Sequence, residues 1–209
     1  MLSTDPQSDG LDAGGSTLLL NFHPDPASSR ANAALAAAAR RLPRVRVREM
    51  ATLGAGGIDP RAEAERLLAA AAIVWLFPVQ WYAPPALFKD WADAVLTRMY
   101  FAAYDTEGRR LEGRPLLVAA TVGTGQEDYR AAGRALYSLE VLLRPLEATA
   151  HRCGLSWSRP FLLYRAGRLT AAELTEAGEA FAARVRALGS ARAPITPHAR
   201  PRALHPSPA

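Results

Sequence analysis

The stretch from Ile73 to Trp91 constrains the fold more than any other part of the chain. Ile73-Val74-Trp75-Leu76-Phe77 is an unbroken apolar run, rich in β-branched and aromatic residues, as expected of a central strand covered by helices on both faces. Pro78 ends the run. Pro84 and Pro85 then preset φ for a first helical turn, and Leu87, Phe88, Trp91 and Val95 recur at helical spacing. Between strand and helix lies Val79-Gln80-Trp81-Tyr82, an aromatic, amide-bearing loop at the carboxyl end of a parallel strand, where ligands of open α/β sheets bind.

The rest of the chain alternates in the same way. Thr17 to Phe22 reads as a short buried strand, and the turn from His23 to Asn32 leads into an alanine-rich helix reaching about Leu42, capped by Ser28 or Ser29. The start of a helix after a first strand is a natural anion cradle, although this loop read alone is better taken as a capped turn, with Ser28 the cap and His23 a turn residue. Val45 to Met50 alternates apolar and charged residues, the pattern of an edge strand whose arginines face solvent. Asp59-Pro60 caps a helix from Arg61 to Ala71. Beyond Thr97, Arg98-Met99-Tyr100-Phe101-Ala102-Ala103-Tyr104-Asp105 is expected to be an irregular aromatic loop. Pro115 to Thr121 is a fourth strand, followed by Val122-Gly123-Thr124-Gly125, where glycine permits close backbone approach to a ligand. Ser138 to Cys153 is helical with a break at Pro145 and a Gly154 cap, and Trp157 to Tyr164 forms the last strand. Thr170 to Glu173 is a capping box for a final helix stopped by Gly189.

The chain has 209 residues and 49% hydrophobic content, enough for one core, read here as a single domain over 16–189 between disordered tails at 1–15 and 190–209. The N-terminus lacks the charged and apolar regions of a signal peptide and no apolar run is long enough to cross a bilayer, so a cytoplasmic protein is expected. A single cysteine, Cys153, excludes an internal disulfide, and His198 and His205 are too isolated for a metal site. The formal charge of +5 comes from scattered arginines, a pattern that does not suit nucleic acid and could at most steer anionic dinucleotides or acidic partners.

Phe77-Pro78-Val79-Gln80-Trp81-Tyr82 with Pro85, Lys89, Trp91 and Asp93 resembles the FPxQWYxxPxxxKxWxD segment of the flavodoxin-like NAD(P)H:quinone oxidoreductases, most closely a small bacterial branch that includes the ancillary oxidoreductase of glutathione-gated potassium efflux. His23-Pro24 with Ser29 and Asn32, and Pro145 to Ala150 leading to Cys153-Gly154-Leu155, follow in the family order. The resemblance implies a flavodoxin-like, doubly wound, five-stranded parallel sheet of order 2-1-3-4-5. It implies FMN, in preference to FAD, held at its phosphate by His23, Ser29, Arg30 and Asn32. The ring would lie against Pro78, Val79, Gln80 and Trp81 and the loop Thr121, Val122, Gly123, Thr124. Relatives carry Thr-Thr-Gly-Gly in that loop, so Val122 loses a hydroxyl and Thr124 loses glycine's freedom. Tyr129 matches a tyrosine that relays a proton in animal relatives together with a histidine six positions later, which here is Ala135.

The implied function is an FMN-dependent oxidoreductase passing hydride from NAD(P)H to quinones or similar acceptors by a ping-pong scheme, with Tyr129 as the catalytic candidate. Alternatives are a flavin-binding regulatory subunit of a potassium-efflux antiporter at the membrane, and an azo- or nitro-reductase. A homodimer is expected, in which Tyr100 to Tyr104 reaches the partner's flavin.

Overall fold

A computed structural model describes residues 16–53 and 57–190. The expected tails at 1–15 and 191–209 lie outside the described residues. Strand β1 (Ser16–Asn21) leads to helix α1 (Ala31–Arg40), β2 (Val45–Glu49), α2 (Pro60–Ala69), β3 (Ala70–Pro78) and α3 (Ala86–Thr97). A single turn α4 (Arg109–Leu111) precedes β4 (Pro115–Thr121). Then come α5 (Leu139–Leu142), α6 (Arg144–Arg152), β5 (Ser156–Trp157), β6 (Phe161–Leu163) and α7 (Ala171–Ser190).

All pairings in the sheet are parallel, in the order β2-β1-β3-β4-β5, and β6 also pairs with β4. β5 and β6 are two pieces of the fifth strand. The first pairs with Pro115–Leu116 and the second with Ala119–Thr121, because Pro160 between them lacks an N–H for the ladder. β3 is buried at nearly every position and lies between β1 and β4, as its unbroken apolar sequence requires.

Two apolar layers cover the sheet. On one face Trp75, Phe77 and Phe22 meet Phe88 and Trp91 of α3 in edge-to-face and tilted contacts 5.0–6.1 Å apart. On the other, Val74, Leu76 and Leu117 pack on Leu35 and Ala39 of α1 and on Phe181 and Val185 of α7. The apolar repeats of α1, α3 and α7 thus each bury one stripe, and alternate β3 side chains serve the two faces.

Several sequence expectations need correction. Ala70 and Ala71 belong to β3 and not to the preceding helix, because the strand pairs with β1 from Ala70 onward. Gly189 does not stop α7, which runs to Ser190. The segment after α3 is no irregular loop: it forms two π-helical turns, Arg98–Ala102 and Tyr104–Gly108, joined by an Arg98–Glu107 ion pair at 2.7 Å. Met99 and Tyr100 are buried in the core, and the Tyr100 hydroxyl donates to the Cys153 carbonyl at 2.5 Å. Gly108 is needed there, since a Cβ would stand 2.6 Å from the Met99 carbonyl oxygen.

The capping box at the start of α7 forms as expected. The Glu173 carboxylate accepts from the Thr170 amide at 2.7 Å, and the Thr170 hydroxyl accepts from the Glu173 amide at 3.3 Å. Thr170→Ala should lower stability by about 1 kcal/mol. A shifted urea midpoint at constant m reports that loss, and an unmoved midpoint would show that Glu173 caps the helix alone.

Candidate functional site

The carboxyl ends of β1, β3 and β4 sit side by side and each runs into a loop that the sequence singled out. After β1, the chain closes on itself around Asp25, whose carboxylate accepts from the amides of Ala27 and Ser28 at 3.1 and 3.4 Å. Hydrogen bonds from Ser28 hold this carboxyl below the usual range. His23 Nδ1 accepts from the Asp25 amide at 3.2 Å. Sequence reasoning overlooked Asp25, although an Asp two residues before the amides it binds is an Asx-turn signature.

The Ser29 hydroxyl accepts from the Ala33 amide at 3.1 Å, so Ser29 is the residue whose side chain caps the first turn of α1. The amides of Ala31 and Asn32, in the first turn, have no acceptor within that helix. Asn32 is 2% exposed, and its Oδ1 accepts the Thr121 hydroxyl at 2.6 Å, which ties the β1 loop to the end of β4. Its Nδ2 has no partner. A buried amide donor left unpaired costs about 1–3 kcal/mol. Arg30 is used differently from expectation. Its guanidinium donates to the carbonyls of Gly167 and Leu169 at 3.3 and 3.0 Å and fastens the loop to the approach of α7.

After β3, the Val79 amide donates to the Thr121 carbonyl at 2.8 Å, continuing the ladder past Pro78. Gln80 and Ala83 exchange backbone hydrogen bonds at 2.9 and 3.1 Å, which closes a two-residue turn on Trp81 and Tyr82. Both have positive φ, 48° and 67°, the left-handed pair of a type I′ turn that glycine and asparagine normally fill. Trp81 is 95% exposed and Tyr82 45%. The turn uses the amides of Gln80 and Ala83, so those of Trp81 and Tyr82 are outside its hydrogen bonds. Two strained, exposed aromatics at a strand end are a functional signature. Trp81→Gly relieves about 1–3 kcal/mol of strain against about 0.5–1 kcal/mol of added chain entropy, and should stabilise the apo protein by about 1 kcal/mol in chemical denaturation. A loss of stability would show that the indole makes a contact its exposure hides.

After β4, Val122 departs from the site. Its side chain is buried in the core, and its amide donates to the Leu163 carbonyl at 2.9 Å. The Thr124 carbonyl accepts from the Arg165 amide at 2.9 Å. Gly123 and Thr124 are exposed, and a Cβ on Gly123 would meet nothing within 4 Å, so this edge of the crevice is open. Tyr129 lies half-buried against Tyr164 with ring centroids 5.7 Å apart. Burial, then Glu140 and Tyr129, push the Tyr164 phenol up to about 12. Ala135 is buried, with its amide on the Asp128 carbonyl, so no side chain replaces the absent histidine there.

The crevice thus gathers His23, Ser29, Asn32, Gln80, Trp81, Thr121, Gly123 and Thr124 around a rim of backbone amides. It does not gather the Val122 side chain or the Arg30 guanidinium. Such a rim, with one buried amide donor unpaired and an aromatic at its lip, suits a phosphate joined to a flat ring. Cys153 belongs to the opposite end of the sheet; burial pushes its thiol up to about 12, so it is packing and no nucleophile. Among the described residues no group of His, Cys, Asp and Glu could hold a metal ion, and no helix is long and apolar enough to cross a membrane.

A family model described as flavodoxin-like fold matches residues 16–187. The chain is 39% identical over 148 residues to the ancillary protein KefF of the glutathione-regulated potassium-efflux system of Salmonella typhimurium, covering 70% of this chain and 82% of that one. Its structure is similar to that of general stress protein 14 from Treponema denticola in complex with FMN, with a TM-score of 0.74, 33% identity, and 83% and 99% of the two chains covered. It is also similar in fold to an NADPH-quinone reductase from P. pentosaceus, with a TM-score of 0.70, 22% identity, and 81% and 97% covered.

Proposed function

The chain belongs to the flavodoxin-like fold family, and from that premise we propose that it is an FMN-dependent NAD(P)H oxidoreductase acting on quinones or similar two-electron acceptors. The observation that carries the proposal is Asn32: a buried side chain at the start of α1, fixed through Thr121, whose Nδ2 has no partner among the described residues and lies beside first-turn amides that the helix leaves unpaired. The FMN complex of the 33% identical stress protein supports the choice of cofactor.

Ser29, Asn32 and the amides of Ala31 and Asn32 would hold the phosphate, with His23 at the rim. Pro78 to Trp81 on one side and Gly123 and Thr124 on the other would bound the ring. A bound flavin supplies the hydride relay between nicotinamide and acceptor, so the protein needs no acid-base triad. Trp81 and Tyr82 offer flat apolar surface for a planar acceptor, and a single open slot suits donor and acceptor entering in turn. Tyr129, whose ring lies against Tyr164, would be the phenol that donates a hydrogen bond to the flavin.

The KefF relationship favours a second role for the same protein, as the soluble partner of a membrane efflux system. The absorption spectrum of purified protein tests the cofactor: a yellow protein that releases FMN on denaturation is expected. A colourless protein that takes up no added FMN would sink the reading. Menadione turnover with NADH and NADPH then tests the enzyme apart from the ancillary role, which needs no turnover.

A further inference from the structure

Five arginines crowd the end of α1 and the edge strand β2: Arg40, Arg41, Arg44, Arg46 and Arg48. Two are neutralised within the fold. Arg40 pairs with Glu49 at 2.5 Å, and Arg48 with Glu63 at 2.8 Å, where Glu63 is buried and shared with Arg66. Arg41, Arg44 and Arg46 are exposed, and no side-chain hydrogen bond or ion pair satisfies them among the described residues.

Charge on an edge strand ordinarily serves to repel other edges, and Arg46 alone would call for nothing more. Arg44 does. Its φ is 62°, in the left-handed region that glycine or asparagine enters at lower cost, and its carbonyl accepts from the Thr17 amide at 2.8 Å. A large cation is therefore held at a strained turn, pinned to the sheet, with no partner. Strain of that kind calls for a function.

The ladder supplies the rest. In parallel pairing the hydrogen-bonding direction alternates along a strand. Because Arg44 bonds toward β1, the backbone groups of Arg46 and Arg48 also face β1, and those of Val45, Val47 and Glu49 face the outer edge. β2 ends the sheet, so these groups have no strand beside them among the described residues. Arg44, in the turn just before β2, and Arg46 within the strand are two residues apart in the chain and both exposed, so both stand beside any chain that pairs with this edge.

We propose that the outer edge of β2, with Arg41, Arg44 and Arg46, docks an extended acidic segment of a partner protein, which adds to the sheet as a strand and brings the carboxylates of one of its faces to these arginines. A peptide is the occupant because the edge offers main-chain donors and acceptors in strand register, which a lipid headgroup does not use. The site stands away from the crevice at the ends of β1, β3 and β4, and does not depend on the flavin reading.

The test uses the full chain with two fluorescein-labelled probes of equal composition and charge, one alternating Glu and Val and one with its Glu and Val in blocks. By anisotropy the alternating peptide should bind about tenfold more tightly, weaken with salt, and lose at least about tenfold in affinity to an Arg44→Glu, Arg46→Glu variant. Hydrogen exchange should slow at the Val45 and Val47 amides when it binds. Unchanged circular dichroism and an unchanged urea midpoint in the variant establish that it folds. Equal binding of the two peptides overturns the proposal in favour of bare charge attraction. Binding to phosphatidylglycerol–phosphatidylcholine vesicles without peptide binding overturns it in favour of a membrane. Val45 and Val47 amides already protected in the free protein overturn it as well, and sedimentation then tells a second copy from a segment of the same chain.

Discussion

Protein carrying both Ser29→Ala and Asn32→Ala should bind FMN more weakly by a factor of about 10² to 10⁴. Two hydrogen bonds to a charged group contribute about 1.5–3 kcal/mol each, and about 1.4 kcal/mol is a factor of ten. The structure shows how to separate that loss from damage to the fold. Asn32→Ala leaves the buried Thr121 hydroxyl without its acceptor, which should cost about 1–3 kcal/mol of stability. Replacing both partners, as Asn32→Ala with Thr121→Val, removes the orphaned hydroxyl and should recover part of the stability. FMN affinity should stay low in that pair, because the free Nδ2 is gone whether or not Thr121 is satisfied. Flavin-fluorescence titration alongside urea denaturation reads both quantities. Wild-type affinity in the Ser29, Asn32 variant would remove these residues from the phosphate site and leave only the backbone amides.

The central strand, the prolines that stop it and the helix it feeds were legible because each acts locally. An apolar run too long for one face demands cover on both, and a proline's fixed φ needs no tertiary context. The sheet order and the three converging loops rested on the family resemblance, and the pairing of β3 between β1 and β4 bears them out. What the sequence hid was whatever depends on a distant partner. Val122 read as a lost hydroxyl at the site, whereas its side chain belongs to the core and its amide to Leu163. A Val122→Thr replacement would therefore bury a hydroxyl and not restore a ligand contact. Arg30 looked like a phosphate binder until the carbonyls of Gly167 and Leu169, far along the chain, came beside it. The left-handed turn at Trp81 and Tyr82 carries neither glycine nor asparagine, so turn propensity could not announce it. Trp157 to Tyr164 read as one unbroken strand, and the division at Pro160 into two pieces was missed although the proline that causes it acts locally.

The second large effect concerns Phe101. Among the exposed large apolar side chains Trp81 and Phe101 stand at opposite ends of α3, since that helix carries the chain from the carboxyl end of β3 back to the amino end of β4. Its twelve residues span about 18 Å, so one protomer cannot bring the two rings together. A two-fold axis crossing α3 can: it sets two copies antiparallel and places Phe101 of each toward Trp81 of the other. Tyr100 and Tyr104, expected to share this role, are held inside the protomer by the Cys153 carbonyl and by Glu112 at 2.6 Å. Phe101 is free of such ties apart from Arg152, whose guanidinium lies 5.7 Å over the ring. That contact leaves it 63% exposed at rest. Phe101→Asp should therefore convert a dimer into a monomer and abolish quinone reduction, while FMN affinity, which rests on Ser29 and Asn32 in the same protomer, falls much less. Tyr104→Asp is a poor companion, because it would set a carboxylate against Glu112 and disturb the fold. Sedimentation at micromolar protein with menadione turnover on the same samples checks the pairing of the two losses. A wild-type monomer with full turnover would mean that each crevice is complete in one chain and that Phe101 covers nothing.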